Sequence, residues 1–518
     1  MPSQKFGLAI TAVVVAVGAV VGGVILFSSS KASEVNLTTA GLVPEDAGFY
    51  FALNTDLTSS QWVSTFKLVE RLGTEDPEGE LKQGAEEGGG IDWEEDVVPF
   101  LGGNAAVFVR GISISDISAE GAVIIRCTDA EKALEVLDEQ AGLGPDHEYG
   151  GIEYYEGGPG GWVAIIEDHL VIAFDEDSLQ SVIDVHNGDL GSLSDVDDFQ
   201  TLRDELTGNF IAFAYVSTQN MLGDFLLDDP VVKAAIDNSG AGDLVFQPAA
   251  WVVGAKEDGF EFQAASLGKS GVVSPMLAPR ESALIKYVPA DAPVFFSTID
   301  IAETWDKIMA QARPEVDEAI RAEGEYDSLD DLLKDAGSEL GIGSLEEVIR
   351  LLDGETAFAM WFPDGTEDNP EGLMIAEVDQ AKAEPLMKTI ASNANGGSRT
   401  EKMDGTDVTI FVGDDGEDLG FAFFEGNLLF GTIEGLRLVL ENDDPTLDEL
   451  RRYRETVDQM PTKLGTYAYL DLSKLLRLAE GGIPADLDEV ERALAGLIIN
   501  GVDERGVLRL SGILTIEE

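Results

Sequence analysis

Cysteine is almost absent from this chain. Cys127 is the single one in 518 residues, so no disulfide can form within the molecule. It lies inside the apolar run VIIRCTD, where a thiol packs as a small hydrophobe and is no nucleophile. Histidine is nearly as scarce, with only His147, His169 and His186, all in the first half. A Ser/His/Asp or Cys/His site common to both halves is thereby excluded. His147 reads as a loop residue and His169 as part of a hairpin turn. His186 reads as a cation near a helix C-terminus, where the helix dipole favours it.

Positive charge is the third shortage. The 33 Lys and Arg face 98 Asp and Glu, for a net charge of -65. Such a surface repels phosphate backbones, which excludes nucleic acid as a partner, and it repels anionic lipid headgroups. The acids are spread over both halves, as expected for the solvated faces of a secreted or salt-adapted protein. A surface that gathers divalent cations is the competing reading. The densest cluster, Asp414-Asp415-Gly416-Glu417-Asp418, offers oxygen ligands of the kind calcium takes, making Asp414, Asp415, Glu417 and Asp418 a candidate calcium loop. It lacks the alternating acid spacing of a dedicated loop, and a solvated hairpin tip explains it as well. Asp195, Asp197 and Asp198 read as helix N-terminal charges, and Asp228-Asp229-Pro230 as a turn.

Catalytic signatures are missing too. There is no Gly-Xaa-Ser-Xaa-Gly elbow, no His-Glu-Xaa-Xaa-His helix, no phosphate loop ending in Gly-Lys-Ser/Thr and no Cys-Xaa-Xaa-Cys. The stretch ELGIGSLEE, Glu339 to Glu347, resembles a Gly-rich loop but lacks the third Gly and follows a helix-like segment. These absences lead to the expectation of a protein without catalytic residues or cofactor. Aromatics are only 8% of the chain, and most of the six Trp fall where burial is expected.

One long hydrophobic run exists and no second one. Phe6 to Phe27 contains 22 uncharged, mostly apolar residues, where about 20 span a bilayer core as a helix. Lys5 and the terminal amine precede it and acids begin at Glu34, so the positive-inside rule puts residues 1–5 in the cytoplasm and the bulk of the chain outside. A cleaved signal peptide, with Ser30-Lys31-Ala32 as its site, is the alternative. Its apolar core would usually be about 7–15 residues, which favours an uncleaved signal-anchor.

Beyond the anchor the sequence repeats itself. LVPEDAGFYFALN, Leu42 to Asn54, returns as YVPADAPVFFSTI, Tyr287 to Ile299, with Pro44 over Pro289, Asp46 over Asp291 and Ala47 over Ala292. Each copy is a Pro-Xaa-Asp turn feeding a strand-like run. LGGNAAVFV from Leu101 matches LDGETAFAM from Leu352, with Gly103 over Gly354 and Asn104 where the second half has Glu355. An apolar strand then leads into a helix opened by Asp129 or Asp379, each placed as an N-cap. WVAIIEDHLVIAF and LGFAFFEGNLLFG read as hairpins running into helices, and FIAFAYV matches LGTYAYL. Each half closes on a hairpin whose Gly, Gly259 or Gly506, is expected at the left-handed position of a three-residue loop. Alternation such as Phe260-Glu261-Phe262-Gln263 marks half-exposed antiparallel strands.

On these motifs the chain resembles the bacterial domain-of-unknown-function 3352 family of membrane-anchored envelope proteins. The resemblance covers nearly everything after the anchor and implies an architecture without implying a reaction. The expected fold is α+β: an N-terminal transmembrane helix, then two homologous domains of curved antiparallel sheet, each backed by helices on one face. The expected divisions are a cytoplasmic tip (1–5), the anchor (6–27), a tether (28–41), a first domain (42–267), a linker (268–286) and a second domain (287–518). The expected role is that of a non-catalytic structural or interaction module of the cell envelope. The alternative is a carrier of an apolar, lipid-like ligand between sheet and helices. Expected partners are the membrane, an envelope protein or lipid-like ligand, and weakly held divalent cations.

Overall fold

The computed structural model describes residues 37–89, 92–113, 118–157, 161–221, 247–267, 276–324, 326–362, 370–394, 397–412, 418–441, 445–460, 463–478, 494–504 and 507–516. The run Phe6–Phe27 lies outside them, and among the described residues no helix is long and apolar enough to cross a membrane. The chain divides into two compact units between Gly268 and Lys269.

The first unit is built on ten described strands: β1 (Phe49–Leu53), β2 (Ala105–Ser113), β3 (Ser118–Arg126), β4 (Asp146–Tyr149), β5 (Ile152–Gly157), β6 (Gly161–Ile166), β7 (His169–Ala173), β8 (Ala212–Val216), β9 (Ala249–Lys256) and β10 (Gly259–Ser266). Their pairings, all antiparallel, give the order β10-β9-β8-β1-β2-β3-β7-β6-β5-β4. The second unit has β11 (Val294–Ile299), β12 (Glu355–Trp361), β13 (Glu371–Glu377), β14 (Ser398–Met403), β15 (Thr406–Val412), β16 (Asp418–Phe424), β17 (Asn427–Thr432), β18 (Thr466–Leu470), β19 (Leu494–Glu504) and β20 (Val507–Ile516). Its order is β20-β19-β18-β11-β12-β13-β17-β16-β15-β14, again antiparallel throughout. Adding ten to each strand of the first order reproduces the second. Both units are therefore α+β, with the turn-led strand, β1 or β11, in the interior of the sheet.

Helices cover both faces of each sheet near its middle, where one covered face was expected. In the first unit Ala133, Val136 and Leu137 of the helix Ala130–Ala141 pack on Val123, Ile125, Leu170 and Ile172. The helix Glu176–Asn187 lies against the same strands, and the alternate residues Ala122, Ile124, Ala164 and Val171 are buried as well. In the second unit Met387 and Ala391 of Gln380–Asn393 meet Phe411, Phe421 and Leu428. Leu436 and Val439 of Ile433–Leu440 meet the alternate set Ile375, Ile410, Ala422 and Leu429. The cause is in the strands: all five residues of β7, HLVIA, are buried, so neither face could be left to water.

Two further local expectations are corrected. Gly259 takes no left-handed loop position: it opens β10 and pairs with Lys256, leaving a two-residue connection, Glu257-Asp258. Gly506 lies outside the described residues. In β10 the polar Glu261 and Gln263 are buried alongside Phe260. Glu261 meets Lys256 Nζ at 2.8 Å, and Gln263 bonds both the amide and the carbonyl of Thr207, while Phe262 is only half-buried. Satisfied partners, here an ammonium and a turn backbone, allow such groups inside.

Candidate functional site

The residues shared by the two halves occupy the two ends of the interior strand in each unit: the turn before that strand lies beside the end of the next strand, and the start of the next strand lies beside the interior strand's far end. Pro44 bridges Ser192 and Pro289 bridges Thr446. The amide of Ala47 donates to the Pro44 carbonyl at 3.0 Å and that of Ala292 to Pro289 at 3.1 Å, which closes both turns. The same neighbours hold them: Leu193 N donates to Val43 O at 2.8 Å, and Leu447 N to Val288 O at 2.7 Å. Pro presets φ and Asp tolerates the turn, which is why the pattern Pro-Xaa-Asp recurs here.

The turn aspartates are each bound from the neighbouring strand. Arg110 of β2 grips Asp46 through Nε at 3.0 Å and Nη2 at 2.6 Å. In the second unit the corresponding strand residue is Trp361, whose Nε1 donates to Asp291 at 3.1 Å. Sequence reading missed both partners. The signal was present, because Arg110 and Trp361 directly follow the matched runs LGGNAAVFV and LDGETAFAM.

A buried polar residue starts each following strand. Asn104, fully buried, accepts from Thr39 Oγ1 at 2.8 Å, and Thr39 lies 2.8 Å from the Tyr50 hydroxyl. Glu355, only 3% exposed, gathers more. Its Oε1 accepts from Ser297 Oγ at 2.7 Å and from Ser282 Oγ, its Oε2 accepts from the Ala283 amide at 2.7 Å, and Arg280 Nη1 stands 2.7 Å away. Burial alone would raise the Glu355 carboxyl; the hydrogen bonds from Ser282, Arg280 and Ser297 outweigh it and hold the group below the ordinary carboxylate value. The preceding glycines differ in use. Gly103 has φ +99°, while a Cβ on Gly354 would come within 2.8 Å of Glu377 Cβ.

The remaining candidates stand apart from these positions. Asp129 caps its helix by accepting from the Lys132 amide at 3.0 Å, and Asp379 does so from Ala381 at 3.1 Å. Of the acid loop, Asp414, Asp415 and Glu417 lie outside the described residues; Asp418 opens β16 and is paired with Arg399 at 2.8 Å. Among the described residues no group of His, Cys, Asp and Glu is arranged to hold a metal ion. Asp197 and Asp198 lie in the first turn of the helix Asp197–Glu205, and Asp228 and Asp229 fall outside the described residues. Burial pushes the Cys127 thiol up to about 12. His147 belongs to β4, where it stacks on Tyr154 at 5.3 Å, and so is no loop residue. His169 opens β7 and is buried, with Nδ1 2.9 Å from Asp168 Oδ1. Burial outweighs that carboxylate and holds the imidazole below its usual pKa. His186 lies in the last turn of its helix.

The family described as "Protein of unknown function (DUF3352)" matches residues 8–493. The chain belongs to this family. In DUF3352 terms the Pro-Xaa-Asp turns, the buried polar strand starts and the capping aspartates all lie within the matched span. None of the curated proteins matches the chain. Among solved structures, crystal form I of TP0453 aligns at 11% identity and crystal form III at 12%, each over 46% of this chain and 80% of that one, with a TM-score of 0.24. At that score the likeness informs neither fold nor function.

Proposed function

We propose that this family member is held in the cell membrane by Phe6–Phe27, with residues 1–5 cytoplasmic and two homologous domains outside. There it serves without catalysis as a structural or interaction module of the cell envelope. The observation that carries this reading is the use made of its chemistry-bearing side chains. Asp46 and Asp291 hold turns, Asn104 and Glu355 hold strand starts, and Asp129 and Asp379 cap helices. The repeated strand order supports a tandem duplication, and hence a doubled scaffold. The test is fractionation of cells expressing the full chain with a C-terminal tag. The expected result is a carbonate-resistant membrane protein whose tag is cleaved by protease added outside, and which becomes extractable when residues 6–27 are deleted. A full chain that washes off with carbonate would overturn the proposal.

A second reading, a carrier of an apolar ligand, is favoured by one surface. Phe358 and Met360 of β12 are 43% and 38% exposed, and Phe358 pairs across the sheet with half-buried Phe296 and Met374. Native mass spectrometry of the protein taken from its own membranes distinguishes the two readings. A lipid-sized adduct that Phe358→Glu abolishes would favour the carrier, and a bare polypeptide mass would favour the module.

A further inference from the structure

The segment Met276–Ala283 has no regular structure, yet it is tied across one end of the second unit's sheet. Thr466 Oγ1 donates to the Met276 carbonyl, Asp503 N donates to Leu277 O at 3.1 Å, and the Arg280 amide donates to Leu464 O at 2.6 Å. Glycine permits the approach: a Cβ on Gly465 would come within 2.4 Å of Gly501 O and 3.0 Å of Leu277 O. At the far end of the segment three donors converge on one carboxylate. They are Arg280 Nη1, Ser282 Oγ and the Ala283 amide, all on Glu355. Immediately beyond, Leu284 and Ile285 are 1% and 6% exposed and belong to the core, so the segment is hinged there.

We propose that Met276–Ala283 is a releasable strap, clasped by Glu355, which lifts when that carboxylate is neutralised while the sheet beneath stays folded. Four groups set the charge balance at the clasp. Arg280 approaches from the strap, Asp300 from the turn before the helix Ile301–Glu323, Glu377 from β13 and Tyr467 from β18. Arg280 is the only cation of the four, so neutral Glu355 removes the carboxylate in contact with the guanidinium and leaves it only the field of Asp300 and Glu377, an unfavourable state that moving the strap into water relieves. The strap's other donors can bond water equally well. The first unit shows the contrast. Its equivalent residue is Asn104, which holds Thr39 with no charge involved, so that contact has no charge to lose. Lifting the strap converts eight fixed residues into slack in the connection between the two units, up to roughly 26–29 Å when fully extended.

Hydrogen exchange of the full chain, followed by mass spectrometry at near-neutral pH, tests this with Glu355→Gln and Ser282→Ala. Glu355→Gln should speed exchange in peptides covering 277–286 about tenfold or more, with β16 and β17 changed less than about twofold. Ser282→Ala removes one donor and keeps the ion pair, so its rise should be smaller, about threefold, and confined to the same peptides. If Glu355→Gln fails to fold, Ser282→Ala decides alone. Unchanged strap exchange in Ser282→Ala, or equal loss of protection in strap and sheet, would overturn the proposal.

Discussion

Phe199 offers the sharpest test of how these units hold together. It projects from the helix Asp197–Glu205 into the first sheet and is 1% exposed. It meets Tyr50, Phe213 and Tyr215 edge-on, at 5.9, 5.6 and 5.3 Å between ring centroids. Tyr453 occupies the corresponding place in the second unit, edge-on to Tyr469 at 5.3 Å. Phe199→Ala removes a fully buried ring, which costs about 3–5 kcal/mol once the cavity is included. Phe199→Leu keeps most of the apolar volume and loses the ring edges, worth about 0.5–1.5 kcal/mol per pair but not additive, so about 1–2 kcal/mol in all. For a unit of this size about 1 kcal/mol moves the midpoint by roughly 2–4 °C. Scanning calorimetry of the full chain should therefore show one transition falling by about 6–20 °C in the Ala variant and by about 2–8 °C in the Leu variant. Hydrogen exchange should assign that transition to the first unit, with the second unchanged. Equal losses for Leu and Ala would refute the premise that filled volume dominates here. A shift below about 3 °C for Ala would refute the plug itself.

Three further outcomes follow from the geometry. Arg110→Ala should cost only about 0.5 kcal/mol, because Asp46 is 54% exposed and water screens the pair. Trp361→Phe, at a 2% exposed position, should cost about 2 kcal/mol; urea denaturation that reverses this order would contradict the account of the turns. Glu355 is held below its ordinary value, so its contribution is complete above the unfolded value of about 4.3 and is lost as pH falls through the lower folded value. An acid titration read by hydrogen exchange should open residues 277–286 only below about pH 4, and opening already at about pH 6 would point to another group. Raising salt from about 0.1 to 1 M shortens the screening length from about 10 to 3 Å. With a net charge of -65 the melting temperature should climb, and a flat response in calorimetry would show the acids to be locally compensated.

What could be read from the sequence was whatever repeats. Pro44 and Pro289, Asp129 and Asp379, and the hairpins around Glu167 and Glu425 are set by local backbone chemistry, and local chemistry recurs in both copies. The second layer of helices was not legible, although β7 carried the sign of it in five consecutive residues that avoid water. Nor was it legible which Trp would stay outside: Trp251 is 39% exposed, because β9 turns that face outward. Most opaque was the clasp, since Arg280 and Glu355 are far apart in sequence and nothing in either local run announces the other. The Asn104-for-Glu355 difference was visible as a mismatch. Its meaning lay in Arg280 and Ser282, which precede the repeated motif.

The position of β1 also governs how the protein comes into being. Its two neighbours are β2, which follows soon after, and β8, whose first residue is Ala212. Until that late strand has been synthesised, Phe49-Tyr50-Phe51 presents an unpaired, aromatic edge. Long-range pairing of this kind is slow, and the open edge is most vulnerable to association during that wait. A chain stopped just short of residue 212 would thus carry most of the first unit's helices and strands and still be a species prone to aggregate, and the second unit repeats the hazard between β11 and β18. Ribosomal pausing before either closing strand should be far more damaging than pausing after it.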